Sequence, residues 1–358
     1  MLYREAGQFK TSYGADQAIF PIVQDRWFLA GLIAIAYLVV PFVASEYWLQ
    51  AVLIPFLVFS MAAIGLNLLL GYAGQLSLGT GAFMAVGGYS TYKLVTAFPD
   101  MNVIVAFLLA GVITAGVGLI FGTPSLRIKG FYLAVATLAA QFFLSWMFNK
   151  VPWFYNYNPS GTITMPPRTV FGVMVTGPAA TAEARYIIAL ILVTLLALAA
   201  KNIVRSHIGR SWMAIRDMDI AAEIIGFRPM QTKLTAFAVS SFYCGVAGAM
   251  TLALYLGSVE TEAFDINVSF QVLFMVIIGG LGSMLGSFLG AAFIILVPVF
   301  LTNAPQLFGI SMATDLQKHL EIMIFGSLIV YFLIVEPHGF ARLWQIAKEK
   351  LRVWPFPY

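Results

Sequence analysis

The chain predicts an all-α fold, a polytopic transmembrane helical bundle of about ten spans with both termini cytoplasmic. Three observations lead there. Hydrophobic residues make up 60% of the 358 and charged ones 10%, with a mean hydropathy of +0.88, which is more apolar surface than a water-soluble shell covers. Apolar runs recur at close to the length that crosses a hydrocarbon core, about 20 residues. Lysine and arginine are distributed unevenly among the segments that join these runs.

Residues 1–26 are polar and mixed, with Arg4, Glu5, Lys10, Asp16, Asp25 and Arg26, and no small-residue cleavage site follows. They read as a cytoplasmic N-terminal segment and not as a removed signal. Apolar segments then run at 27–44, 49–70, 76–97, 103–122, 130–148, 185–201, 234–257, 266–284, 286–302 and 319–335. The split of 266–302 rests on Gly279, Gly280, Gly282 and Gly286, which fit either a tight turn or a re-entrant break. In the ten-span arrangement fifteen of the 20 basic residues fall inside, and only Lys93, Lys150, Arg168, Arg185 and Lys318 fall outside. Merging 266–302 into one span would carry the basic tail, 337–358, to the outside, so the count favours ten spans over nine.

The membrane domain is then 27–336, with a cytoplasmic loop at 202–233 and an external loop at 149–184. Aromatics and prolines in 149–184 suit an ordered surface cap or a loop held by its own aromatics. The acidic 258–265 loop, with Glu260, Glu262 and Asp265, faces the same side.

Several functions are excluded or disfavoured. No GxxxxGK followed by Ser or Thr occurs, so any ATP-driven work needs another chain. The span interiors hold no ionisable group of the kind that proton-coupled carriers and intramembrane hydrolases keep at functional depth. His207, His319 and His338 lie outside or at edges, Glu321 lies at a boundary, and no cluster has metal-ligand spacing. No catalytic residue, metal or cofactor is expected. Cys244 reads as a small buried hydrophobe. The net charge of +4 is scattered between spans and points to orientation, not to nucleic acid.

The basic segment 201–233 carries the positive argument. Ile215, Met218, Ala222 and Ile225 recur at spacings of three, four and three, which predicts one amphipathic helix, while Arg216, Asp219 and Glu223 follow one position later. Gly226 suits its end and Pro229 bars its resumption. The helix either rests on lipid or docks into a cytoplasmic partner.

Two glycine-rich segments stand out as well. GYAGQLSLGTG places Gln75, Ser77 and Thr80 where one apolar helix gives way to the next. With Asn67 they border a translocation path if the helix is broken, or belong to a tight cytoplasmic turn. Asn67 favours an interhelical hydrogen bond. Gly282, Gly286 and Gly290 repeat every fourth residue and offer one smooth helix face for packing or for a sliding seam against a partner. Thr137, Gln141 and Gln271 read as packing contacts.

These strings resemble a known family. Ala221-Ala222-Glu223-Ile224-Ile225-Gly226 is similar to the EAA loop of ABC importer permeases, with Ala221, Ala222 and Gly226 matching. Ile220 stands in place of the usual Glu, and the Ile-x-Leu-Pro ending is absent. GRSWMAIRDMDIAAEIIG, the segment from Gly65-Leu66-Asn67-Leu68 through GYAGQLSLGTGAFMAVGGY, and Val276 to Ser283 together resemble the LivM-type branched-chain amino acid permeases over roughly 50–300. Thr80 occupies a position where many relatives carry His. The resemblance implies a non-enzymatic subunit of the inner membrane that moves branched-chain or related amino acids. Its coupling helix would hold Arg216, Asp219, Ala221, Ala222, Glu223 and Gly226. It further implies a second permease subunit, two ATP-binding cassette subunits, a periplasmic or external binding protein, and membrane lipid around the bundle. Urea and short-amide permeases are near relatives, and a self-contained ion-coupled carrier is the other reading of the glycine breaks.

Overall fold

The computed structural model describes residues 11–12, 23–125, 132–307, 314–335 and 339–353. Arg4, Glu5, Lys10 and Asp16 of the predicted N-terminal segment, the inside-facing Arg127 and Lys129, and His338 lie outside the described residues.

Helices stand at all ten predicted positions. They are α1 (Val23–Leu38, continued by Val40–Val43), α2 (Trp48–Tyr72), α3 (Thr80–Ala97), α4 (Val103–Ser125), α5 (Tyr132–Lys150), α6 (Ala182–Arg205), α9 (Pro229–Leu256), α10 (Ile266–Gly279), α11 (Met284–Leu307) and α12 (Thr314–Val335). Two short helices, α7 (His207–Asp217) and α8 (Asp219–Ile224), fill the basic segment, and α13 (Gly339–Val353) closes the chain. Among the described residues eight helices are long and apolar enough to cross a membrane, so the protein is a multi-pass membrane protein. α3 and α12 are not among the eight. Residues 80–89 of α3 are all buried, so that helix is enclosed by protein and has less need of an apolar surface. α12 keeps its apolar stretch to Ile322–Phe332, after Asp315, Lys318 and Glu321.

α9 is the hub. It packs against α2, α3 and α4, and the contacts are made at glycines. A side chain at Gly87 of α3 would collide with the Gly245 backbone, one at Gly248 with the Met84 carbonyl, and one at Gly118 of α4 with Ser241. A Cβ at Gly65 of α2 would stand 2.8 Å from that of Tyr243. Lipid tails are as apolar as leucine, so helices in a membrane associate mainly through close packing, and small residues permit it. Tyr243 also donates to the Leu196 carbonyl of α6 at 2.7 Å, which joins a further helix to the hub.

α10 and α11 form a hairpin, so 266–302 is two helices. Gly279 meets Gly286 and Gly290, and Gly290 faces the Met275 carbonyl. Gly280 (φ 117°) and Gly282 (φ 74°) make the turn in backbone that L side chains rarely adopt. Gly282 thus lies before the helix, and the smooth face expected of Gly282, Gly286 and Gly290 belongs to the latter two.

Cations brace one end of the bundle. Arg168 donates to the carbonyls of Val95 in the last turn of α3 and of Pro99 beyond its end, and Arg185 donates to that of Gly177. Lys93 sits 4.1 Å from the Trp153 ring centroid. The 149–184 segment at this end is not held by aromatics alone. Its strand β1 (Ile163–Thr164) pairs antiparallel with β4 (Ser258–Val259), and β2 (Arg168–Val170) pairs with β3 (Val173–Thr176) across a bulge. The acidic 258–265 loop departs from a simple outward excursion. Thr261 and Phe264 are buried, and Thr261 meets the Tyr89 hydroxyl at 2.9 Å, so the loop folds in against α3. At the other end Asp25 and Lys348 pair at 3.0 Å, which brings the start of α1 to α13.

Gly118 and Gly116 share α4 but face different surroundings. Gly118→Val is expected to destabilise the protein by on the order of 1–3 kcal/mol through overpacking. Gly116→Val, with nothing within 4 Å, should be close to neutral. Thermal unfolding midpoints of the two purified variants in detergent check this.

Candidate functional site

The basic segment is built by caps. Ser206 caps α7 by accepting the Ile208 amide at 3.2 Å, and Trp212, fully buried, donates from Nε1 to Thr235 at 3.1 Å. The predicted single helix is broken at Met218, whose backbone is extended (φ −160°, ψ 95°). Asp217 and Asp219 flank the break. A carboxylate is unfavourable at the negative end of α7 and favourable at the positive start of α8, so both promote termination there. The predicted apolar face therefore does not exist as one stripe: Ile215 and Ala222 turn inward, while Met218 and Ile225 face out. α8 ends as expected at Gly226 (φ 106°), where the Gly226 amide bonds Glu223 and the Phe227 amide bonds Ala222, each at 3.0 Å, in a Schellman arrangement. Pro229 does not merely prevent resumption. It starts α9 at the position where its missing N–H costs nothing.

Around α8 the predicted residues divide. Ala222 is 2% exposed and anchors the helix, Ala221 is half-buried, Asp219 lies 4.0 Å from Lys233, and Glu223 is exposed. Ile220 and Ile224 were absent from both the predicted face and the predicted coupling residues, yet with Ile225 they form the outer face, Ile224 being 82% exposed. The run of isoleucines around two small alanines was the available signal.

Arg216 points the other way. Its Nη1 donates to the Gly71 carbonyl at 2.8 Å, at the end of α2, where residues Leu68–Tyr72 widen into a π turn. A cation there also suits the negative end of the helix. Its Nε and Nη2 hold Asp217 at 2.9 and 2.8 Å. One turn back, buried Asn67 accepts the Gly282 amide at 2.9 Å and donates to the Ser283 carbonyl at 2.8 Å and the Ser287 hydroxyl at 2.9 Å. Asn67 is thus an interhelical clamp on the α10–α11 turn.

Between α2 and α3 the backbone is non-helical from Gly74 to Gly79, with Gln75, Ser77 and Gly79 buried. Such backbone needs partners from neighbouring helices. Thr137 accepts the Leu78 amide at 2.9 Å. Ser269 accepts the Gly81 amide at 2.8 Å, and Gln141 accepts the Ala82 amide at 2.7 Å while donating to the Phe264 carbonyl at 2.8 Å. Thr137 therefore holds the broken segment, and Ser269 and Gln141 hold the first turn of α3. Ser77 receives the Gly79 amide at 3.4 Å, and Thr80 is 1% exposed. Gln75 is 7% exposed, and neither its amide nitrogen nor its oxygen has a hydrogen-bond partner among the described residues.

Among the described residues no group of three or more His, Cys, Asp or Glu side chains is placed to hold a metal. These groups clamp helices, bridge a broken backbone and present an apolar face, which defines a membrane-embedded helical bundle whose irregular backbone is satisfied by side chains of neighbouring helices. Residues 48–333 match the family described as the branched-chain amino acid transport system permease component, and the chain belongs to that family. It is 29% identical over 337 residues to the high-affinity branched-chain amino acid transport system permease protein LivM of Salmonella typhimurium, covering 88% of this chain and 75% of the relative. The LivM of Escherichia coli K12 is 28% identical with the same coverage. A probable branched-chain amino acid transport permease protein LivM of Methanocaldococcus jannaschii is 25% identical over 81% of this chain and 92% of its own length. No solved structure matches.

Gln141→Leu removes the acceptor of Ala82 and the donor to Phe264, each worth about 1–3 kcal/mol when left buried and unmet. The expected result is a lower thermal midpoint than that of Gln271→Leu, at a half-buried glutamine on α10, measured on purified protein.

Proposed function

We propose that this chain is the membrane subunit of an ATP-driven importer for branched-chain or related amino acids. The exposed isoleucine face of α8 carries the reading. A capped helix anchored by Ala222, with Ile220, Ile224 and Ile225 in water, gains most when a protein partner covers that face. The partner is an ATP-binding cassette subunit, one of two in an assembly that also holds a second permease subunit and a periplasmic or external binding protein. Asp219, Ala221, Ala222, Glu223 and Gly226 shape and orient the docking segment, and Arg216, just before it, ties it to the end of α2.

The topology that suits this role has ten spans, with α3 and α12 counted, in the inner membrane. The N-terminal segment 1–26, the 202–233 loop and the 337–358 tail lie in the cytoplasm, and the 149–184 cap faces the binding protein. The Asp25–Lys348 pair supports putting both ends on one side. The positions of Lys93, Arg168 and Arg185, which bond Asn156, Pro99 and Gly177 at the other end, agree with it. The translocation path passes the broken backbone at Gln75, Ser77 and Thr80, beside Asn67. Gln75, a buried amide without a partner, is the group there with unspent hydrogen-bonding capacity.

Ile224→Asp is expected to reduce co-purification of the ATPase subunits at least about tenfold, as for a hot-spot residue at an interface centre. The thermal midpoint of the isolated chain should stay unchanged, because Ile224 is exposed. Uptake of radiolabelled leucine into proteoliposomes should need the ATPase, the binding protein and ATP. Gradient-driven uptake by the chain alone would refute the reading.

A further inference from the structure

The docking helix and the α10–α11 hairpin lie far apart in sequence, yet two side chains connect them through one point. Arg216, at the end of α7 and three residues before α8, donates to the Gly71 carbonyl at 2.8 Å. Gly71 touches the hairpin turn directly: a Cβ built there would stand 2.9 Å from the Gly282 Cα. A Cβ on Gly282 would in turn lie 3.4 Å from the Gly71 oxygen and 3.6 Å from the Arg216 Nη1. Asn67, four residues before Gly71, holds the same turn by its three hydrogen bonds to Gly282, Ser283 and Ser287. Arg216 also packs on Gly74 (φ 67°), 2.9 Å from a Cβ there, at the first residue of the broken segment.

We propose that Arg216 and Asn67 are positioning residues that transmit displacement of the docking helix to the hairpin, with the π turn at Gly71 as the shared joint. The inference rests on the docking reading above. Arg216 moves with α7 and α8, and its planar guanidinium fixes the direction in which the Gly71 carbonyl is pulled. The Leu68–Tyr72 turn is wide, so it can tighten or relax without breaking α2. Asn67 converts that movement into a pull on the Gly282–Ser283 turn. The glycines at 279, 286 and 290 let α10 and α11 move as one packed body. This gives α7 a task separate from adhesion: α8 holds the partner, and Arg216 carries the stroke.

The test uses the full assembly with its binding protein in proteoliposomes, with radiolabelled leucine as the probe. Arg216→Met and Asn67→Ala are each expected to assemble with the ATPase and hydrolyse ATP, while leucine moved per ATP falls at least about fivefold, in the range of coupling-residue effects. Arg216→Lys keeps the charge and one donor and should recover part of that loss. The double variant should be no worse than the poorer single one, since both cut one link. A second measurement is independent of transport. Leu281, exposed in the turn, is changed to Cys, and its maleimide labelling is compared with and without a non-hydrolysable nucleotide; Cys244, the chain's one native cysteine, is buried. The labelling rate should respond to nucleotide in the Leu281→Cys protein and cease to respond when Arg216→Met is added. Unchanged leucine per ATP in both single variants, or a nucleotide response that survives Arg216→Met, overturns the proposal. Loss of ATPase association in Arg216→Met also overturns it, because the residue then acts in docking. Normal association of Ile224→Asp, by contrast, removes the docking reading itself.

Discussion

The structure depends on close approach of helix backbones around α9. Lipid supplies little drive for one apolar helix to leave it for another, so cohesion comes from packing, and packing tightens where side chains are small. Gly87 against Gly245, Gly248 against Met84 and Gly65 against Ser240 and Tyr243 bring α3, α2 and α9 nearer than larger residues would allow. The same logic builds the α10–α11 hairpin from Gly279, Gly286 and Gly290. Each contact is specific in register, because a shift of one residue would set a side chain against a carbonyl.

That closeness makes the broken segment sustainable. Non-helical backbone in a membrane protein is tolerated only when other groups satisfy it. Here α3 begins inside the bundle, and its first amides are met by Ser269 and Gln141 from helices distant in sequence. Those side chains reach the amides because glycines lie against the same elements, Gly79 against Thr137 of α5 and Gly81 against Ser269 of α10. Gln75 is the exception, its amide buried without a partner among the described residues.

Composition and hydropathy made the membrane fold and nearly all of its helices legible, since a span announces itself by length and apolarity alone. Boundaries drifted where a polar residue could cap or extend a helix, as at Thr181, which begins α6 by accepting the Ala184 amide and lies four residues before the expected start. The short β pairings of the cap carried no readable period, because two to four residues are too few to show alternation. In the basic segment the alanine pair and Gly226 were readable, whereas the break at Met218 was not. A period-3.6 pattern continues through Met218 even though the flanking carboxylates end one helix and start another. Thr137 and Gln141 were passed over for a related reason: a lone polar residue in a span looks like a packing contact until its partner is known to be the amide of a broken helix.

The two ends of the bundle are built to different mechanical standards. At the cap end Arg168 and Arg185 tie helix ends to loops, β1 pairs with β4 across nearly a hundred residues of sequence, and Tyr89 stacks on Phe148 with ring centroids 4.3 Å apart. Each of these crosses between elements, so the end resists shear. At the basic end the ties of Arg216, Asn67 and Lys348 are joined by backbone devices. The π turn of α2, positive-φ glycines at 74, 226, 280 and 282, and the extended Met218 all sit between rigid helices. Glycine-packed helices move as bodies, and backbone joints decide where they bend. On the docking reading, a force applied at α8 would reach the π turn and the hairpin through Arg216 and Asn67 before it reached the cap, because these two side chains are the described links between α7, α2 and the α10–α11 turn.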